Sequence, residues 1–331
     1  MEKIVWELKS EGLHSIELNI ENYTSIYNEF DTREEDILQT IYGYFQKRAS
    51  NKAYVTIIDK ADGEVIPSQR YQCWLVNHEF IEKEFELAQT SLLNKKIVRQ
   101  LKENYEIESY LHTMNVLLED LVQFVDHGLP IKPKPFDYKA FSKHLQFKFD
   151  DHVDYYRLIN RLERMLPLIV EEMEQISNHR TLLIYTYPEA NLSPKEQIQF
   201  RKCLESLNIP VITLTGSAHF LSRNLMGMNY IRRDRQLINM RWLNQLVWDA
   251  PMNYEMDEIM VSLKRFIHLY QDKLEMTPLI SNHRLADIML FDPIDIYVGF
   301  SFMRYAEQAF TTDMDWGVLP EPVSRYMQHL L

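Results

Sequence analysis

Two helical runs in the middle of the chain repeat their apolar residues every 3.5 positions, and no other feature constrains the fold as much. In the first, Ile107, Leu111, Met114, Leu118, Leu121 and Val125 step 4-3-4-3-4. In the second, Tyr155, Ile159, Leu162, Leu166, Ile169, Met173 and Ile176 step 4-3-4-3-4-3. A 3.5-residue repeat makes a narrow seam suited to one partner helix, whereas a helix lying on a sheet carries a broader stripe of period 3.6. A short proline-rich link (Gly128, Pro130, Pro133, Pro135) separates the runs, so the simplest partner of each is the other, antiparallel. The expectation is a helical arm projecting from a compact body.

The flanks read as α/β. Residues 14–20 alternate, with Ile16, Leu18 and Ile20 on one face, and predict a strand. Residues 22–48 predict helix, broken near Asp31 and Thr32; 53–58 and 71–76 predict strands. Helix is expected over 79–126 and again from about 151 to 177, where Pro167 removes one backbone hydrogen bond and should kink it. The clearest unit comes next. A strand over 181–187 leads to Ser193-Pro194-Lys195-Glu196, a capping box with proline at the first helical position. That helix runs to about residue 207, and 211–215 is the next strand. Short links make this a βαβ unit with a right-handed crossover in a parallel sheet. Beyond it lie a helix near 254–273 and an aromatic-rich end with Phe300, Phe302, Tyr305, Phe310 and Trp316. The expected organisation is a head of residues 1–79 plus 178–240, an arm of 80–177 and a C-terminal mixed extension of 241–331.

With 331 residues the chain can bury a sizeable core. No apolar run approaches the roughly 20 residues of a membrane span, and the start carries no long apolar stretch. The two cysteines, Cys73 and Cys203, lie far apart within apolar patterns, which predicts buried free thiols and no structural zinc. A cytoplasmic protein with no membrane partner is expected. The net charge of −12 argues at first against nucleic acid. Its distribution argues otherwise. Residues 129–149 hold Lys132, Lys134, Lys139, Lys143 and Lys148 against a single acid, Asp137. Residues 217–248 hold Arg223, Arg232, Arg233, Arg235 and Arg241 against Asp234. An acidic exterior with segregated basic patches suits a protein that admits polyanions at one place; the alternative is two solvated basic faces.

The run Leu182-Leu-Ile-Tyr-Thr-Tyr-Pro188, the capped helix and Ile209-Pro-Val-Ile-Thr-Leu-Thr-Gly216 together resemble the second half of ABC-type ATPases. In that family the first strand ends in Asp-Glu-Pro and the second in Thr-His. The Asp holds Mg²⁺, the Glu positions the attacking water and the His senses the γ-phosphate. Here those positions are Thr186, Tyr187 and Gly216. None of the eight glycines is followed by lysine, so no phosphate-cradling GxxxxGK(S/T) loop exists. The chassis resembles a nucleotidase from which the chemistry is missing. Gly216-Ser217 before a short helix could retain an anion site, although a plain strand-to-helix turn accounts for it as well.

Three other groupings have structural explanations. Asp150, Asp151, His152 and Asp154 offer metal-ligand types, yet they open the second arm helix, where carboxylates favour the helix dipole. Ser217 and His219 lie two apart with no GxSxG elbow, which argues against nucleophilic catalysis. Lys95, Lys96, Arg99 and Lys102 form a basic stretch that reads as a solvated arm face.

A degenerate ABC-like head, a coiled-coil insertion before LLIYTYP and a strand-helix-strand ending in LTGS resemble the CRISPR-associated subtype II-A adaptation protein of the Csn family, in its long form. The likeness spans about residues 14–240. It implies an α/β fold: a degenerate P-loop, ABC-ATPase-like parallel-sheet head with an inserted antiparallel coiled-coil arm. It implies a homotetrameric ring that encloses double-stranded DNA, loads at its ends and assists spacer acquisition with the CRISPR adaptation integrase and the effector nuclease. No enzymatic activity and no cofactor are implied. Short-form relatives carry calcium near the link between the arm helices; here that link, from Asp126 to Asp137, is lysine-rich rather than acidic, which counts against calcium. The expected DNA contacts are the ten basic residues of the two segments, meeting phosphates without a base-edge code. A metal-dependent nuclease, a cryptic NTPase and a protein scaffold docking through its arm are the competing readings.

Overall fold

The structure, a computed structural model, describes residues 4–10, 13–27, 33–46, 55–125, 131–148, 157–233, 235–274 and 276–330. In chain order its strands are β1 (Ile4–Ser10), β2 (Leu13–Ile20), β3 (Tyr23–Tyr27), β4 (Val55–Asp59), β5 (Tyr71–Val76), β6 (Arg180–Thr186), β7 (Val211–Thr215), β8 (Met228–Arg232), β9 (Arg235–Gln236), β10 (Leu279–Ser281), β11 (Ile288–Met289) and β12 (Thr311–Asp313). The helices are α1 (Arg33–Phe45), α2 (His78–Phe85), α3 (Leu92–Glu103), α4 (Tyr105–Val122), α5 (Tyr138–Ser142), α6 (Leu158–Ile176), α7 (Pro194–Ser206), α8 (Met240–Trp248), α9 (Met256–Leu274), α10 (Pro293–Tyr305) and α11 (Glu321–Leu330). The chain is mixed α/β with parallel-sheet elements, and it divides into two compact units, residues 1–75 with 179–331 and residues 76–178.

In the first unit a six-stranded sheet runs β5-β6-β7-β3-β8-β9. The pairs β6–β7, β7–β3 and β3–β8 are parallel, and β9 turns back antiparallel on β8. The strand–helix–strand unit lies where the sequence put it: β6 and β7 are neighbours, and the Ser193–Glu196 capping box starts α7. Successive side chains of a strand point to opposite faces. Leu182, Ile184, Ile212 and Leu214 accordingly join Ile37, Leu38 and Ile41 of α1 and the antiparallel sheet β2-β1-β4 in one core. From the other face Tyr185 meets Phe200 of α7 edge-on at 5.3 Å.

Residues 22–48, expected to be mainly helical, divide instead into β3 and α1. All five residues of β3 are buried. A strand covered on both faces carries a continuous apolar run, which periodicity alone does not separate from helix. Tyr27 and Tyr230 stack at 5.3 Å and open a second core that takes in α8, α9, α10 and α11. Residues 241–331 thus share their core with β3 and β8. The α9–α10 contact is close enough that a Cβ on Gly299 would stand 2.8 Å from the Phe266 ring. Cys73 is buried, and burial pushes its thiol pKa up, whereas Cys203, expected to be buried, is half-exposed on α7.

In the second unit the helix expected over 79–126 is three helices. Asn77, Ser91 and Asn104 each stop the chain and cap the next helix, accepting the N–H groups of Phe80 at 2.9 Å, Asn94 at 3.1 Å and Glu106 at 3.1 Å. Asn and Ser compete with a continuing helix for its own backbone donors, which is why they break it. Helix α6 runs on through Pro167 and lies on α2 and α3. Its buried set adds Met165 and Val170 to the heptad positions Ile159, Leu162, Leu166, Ile169 and Met173. That is the broad face of a helix with two neighbours rather than a seam for α4. Glu172, on the same face, is buried and paired with Arg99 at 2.8 Å. Tyr155, at the head of the second heptad, lies outside the described residues.

Candidate nucleic-acid interface

The carboxyl edge of the parallel sheet is where α/β proteins of this layout bind nucleotides. Here that edge is filled by the protein's own carboxylates. Helix α1 comes after β3 and begins with Glu34, Glu35 and Asp36 in its first turn. Carboxylates at a helix N-terminus occupy the field that would otherwise attract phosphate. Tyr187 adopts a left-handed backbone (φ 51°) just past β6, and its hydroxyl donates to Glu35. Glu189 accepts the Gly216 N–H at 2.6 Å and the Thr215 hydroxyl at 2.8 Å. Ser217 donates its hydroxyl to Gln197 at 2.6 Å and caps the short 3-10 turn of residues 218–220. The turn at Gly216-Ser217 is therefore satisfied from within, and its anion is a side chain of the same chain. Glu189 was not singled out from the sequence; a carboxylate three residues beyond a strand end was its only signal.

The lysine segment lies in the second unit. It reaches α5 without regular secondary structure, and Asp137 caps that helix by accepting the Ala140 N–H at 2.8 Å. Asn115 of α4 clamps the segment from both sides: its Oδ1 accepts the Phe136 N–H at 2.6 Å and its amide donates to the Phe136 carbonyl at 3.1 Å. Ser142, at the end of α5, donates to Asn94 of α3 at 3.4 Å. The backbone is thus pinned while Lys132, Lys134, Lys139, Lys143 and Lys148 all stand exposed. None of the five joins an ion pair among the described residues. Five unneutralised ammonium groups on a fixed track are equipped to meet a row of phosphates.

The arginine segment lies in the first unit and is less uniform. Arg223 and Arg241 are exposed, with no ion pair among the described residues. Arg232 is half-buried at the end of β8. Arg233, left-handed at φ 48°, is tied to Glu307. Arg235 lies 4.4 Å above the Tyr305 ring and donates to the Tyr305 carbonyl. The segment thus mixes two cations with no ion pair among the described residues and others engaged in local structure. Asp234 lies outside the described residues.

The basic stretch on α3 has a structural use for two of its members. Lys96 and Arg99 reach the buried Glu172 at 3.9 Å and 2.8 Å, while Lys95 and Lys102 remain exposed. Asp150, Asp151, His152 and Asp154, and residues 126–130 of the link, lie outside the described residues. Among the described residues no three His, Cys, Asp or Glu side chains gather where they could hold a metal. Lys132 and Lys134, exposed in the link, are the wrong charge for a calcium site.

The sequence matches no family model and no curated protein. The fold is similar to that of Stu0660 of Streptococcus thermophilus. That crystal structure aligns over 98% of this chain and 99% of its own, with a TM-score of 0.58 and 12% identity. The alignment runs through residues 241–331 as well, so the whole length of the chain takes one shared fold. Among the described residues, no helix is long and apolar enough to cross a membrane.

Proposed function

We propose that the protein is a non-catalytic, sequence-independent binder of double-stranded DNA ends, acting as a homotetrameric ring that assists CRISPR spacer acquisition. The observation that carries this reading is the lysine track, five exposed ammonium groups with no ion pair among the described residues, on a clamped backbone in a chain of net charge −12. Such a track holds phosphates, contributes no base readout and releases counterions when it binds. The first unit fits a degenerate P-loop, ABC-like head, because carboxylates stand where the nucleotide's phosphates would have to sit. The helical unit of residues 76–178 takes the part of the arm. The likeness in fold to Stu0660 and the resemblance to the Csn family support the same reading, with the CRISPR adaptation integrase and the effector nuclease as cytoplasmic partners.

Ring closure by copies of one chain reconciles DNA binding with an acidic protein, since like charges face outward and lysines gather within. Helix α4 offers an apolar stripe for such contacts. Tyr110, Met114, Leu117 and Leu121 step 4-3-4 along it, Phe124 follows just beyond its end, and all five are exposed. The same stripe supports a second reading, a protein scaffold that docks through α4. A gel shift with linear duplex and closed plasmid circles, run with and without divalent metal, separates the readings. The ring predicts binding to linear DNA only, with no cleavage. A stable oligomer that shifts neither form supports the scaffold, and cleavage supports a nuclease.

A further inference from the structure

The first unit holds a cleft of about 780 Å³ that extends from the starting ends of the parallel strands to Arg235, which pairs with Arg232 at the end of β8. Three adjacent strands contribute to its wall by their starting residues: Arg180 opens β6, Pro210 precedes β7 and Asn22 precedes β3. Lys60, Arg180, Arg235 and Arg241 line it against two carboxylates, Glu17 and Glu21. Lys60 is paired with Glu17, and Glu21 accepts the Asn224 amide at 2.6 Å. Arg180 and Arg241 are exposed and have no ion pair among the described residues. Among the described residues the cleft therefore carries an excess of positive charge.

Arg235 is the third feature. Its guanidinium lies over Tyr305, whose ring stacks at 4.7 Å on Trp242 with the planes 13° apart. Asn239 donates to the Tyr305 hydroxyl at 3.0 Å and holds the stack in place. The column Trp242–Tyr305–Arg235 thus ends in a planar cation at the cleft wall. A guanidinium plane supported in this way is a platform for a nucleobase, and two further arginines are suited to a phosphate. An inorganic anion would leave most of the volume unused, whereas clefts of about 300–1,000 Å³ suit ligands of nucleotide size.

We propose that this cleft binds a nucleoside phosphate unit, its base on the Arg235 platform and its phosphate between Arg180 and Arg241. The unit could be a free nucleotide or the terminal nucleotide of a single strand, and the chemistry recognised is the same. The site shares no residue with the lysine track, so each idea can fail without the other.

The test uses the full chain and a 3′-fluorescein tetradeoxynucleotide carrying a 5′-phosphate, monitored by anisotropy. Saturable binding that weakens at least tenfold in Arg180→Glu/Arg241→Glu, and weakens in Arg235→Ala, is expected. Because both reversed arginines are exposed and have no ion pair among the described residues, the double variant should keep the wild-type melting temperature and particle size. If it does not, Arg241→Gln alone gives the reading, with a smaller loss expected. Competition by dAMP as strong as by unlabelled oligonucleotide assigns the cleft to free nucleotides; competition by the oligonucleotide alone assigns it to strand ends. No binding at millimolar concentration, binding unchanged in the folded variants, or equal competition by inorganic phosphate would overturn the proposal.

Discussion

Glu189 accepts the backbone N–H of Gly216 at 2.6 Å, so a side chain of the protein occupies the turn that the resemblance to ABC-type ATPases would match to their γ-phosphate sensor. The Thr215 hydroxyl closes on the same carboxylate at 2.8 Å. A phosphate arriving there would meet a filled donor and a negative charge. ATP hydrolysis in the presence of Mg²⁺ is expected to stay at the rate of the enzyme-free control, and phosphate release above that rate would refute the degenerate-head reading. Glu189→Ala should cost about 1 kcal/mol of stability, because the half-buried Gly216 donor is left without its acceptor. The urea midpoint measures that change.

Glu84 makes a comparable contact in the helical unit. Its carboxylate is buried and accepts the N–H groups of Leu92 at 2.7 Å and Leu93 at 2.9 Å, the free donors that begin α3. Glu84→Ala removes both bonds and leaves buried donors unpaired, at a cost of about 2–4 kcal/mol. Glu84→Gln keeps one acceptor and should lose about half as much. Chemical denaturation ranks the three proteins, and an alanine variant as stable as wild type would contradict this account of the cap.

The same physics gives a pH dependence. Burial holds the His268 imidazole below its ordinary value, against a smaller opposing effect of its hydrogen bond to the Ser222 backbone. With the folded pKa depressed, the unfolded chain takes up the proton first, from about pH 6.5 downward. His268 therefore supports the fold fully above that pH and progressively less as the pH falls towards its folded value. Melting temperatures measured from pH 7.5 to 5.5 should fall more steeply for wild type than for His268→Gln. Parallel curves would mean that His268 is not the group responsible.

The range of each interaction decided whether it was legible in the sequence. The Ser193–Glu196 capping box and the apolar strands on either side of α7 are local, and they stand where periodicity and capping put them. Strand β3 was misread because its burial comes from both sides at once, through β7 and β8 and the layers above and below them. Ser91 and Asn104 are residue types that cap helices, yet 79–126 reads as one helix because apolar residues recur at helical spacing up to Leu92 and again in the heptad from Ile107. The lysine track was visible as composition. Its clamp, Asn115 on Phe136, joins residues 21 apart and could not be read from either segment alone.

Helix α4 yields a prediction about assembly. Leu117 and Leu121 are exposed on its apolar stripe, whereas Leu118 is half-buried within the unit. Leu117→Asp with Leu121→Asp should leave the melting temperature within a few degrees of wild type and reduce the particle from tetramer to a smaller species. Leu118→Asp should instead destabilise the unit itself, since it places a charge against its neighbours. Light scattering and thermal melts, taken together, distinguish the two effects. A wild-type particle that is monomeric at micromolar concentration would remove the ring.

The DNA prediction turns on how the two basic segments differ. The lysines stand exposed with no ion pair among the described residues, so reversing them should remove phosphate contacts without removing a structural partner. Arg233 and Arg235 are engaged with Glu307 and Tyr305, so reversing them would disturb the first unit as well as any contact to DNA. The clean comparison is therefore Lys132, Lys134, Lys139 and Lys143 to Glu against Arg223 and Arg241 to Glu. Removing one lysine–phosphate pair should lower the slope of log affinity against log salt by about 0.9 on duplex DNA, with no change in sequence preference. The lysine variant is expected to bind linear duplex at least a hundredfold more weakly at low salt while its particle size stays that of wild type. The arginine variant should be weakened less. Wild-type binding should itself fall steeply between low and physiological salt and require a free duplex end. Tight binding that survives the lysine reversal, or that favours closed circles over linear DNA, would place the DNA elsewhere on the molecule and end the reading of the lysine segment as a phosphate track.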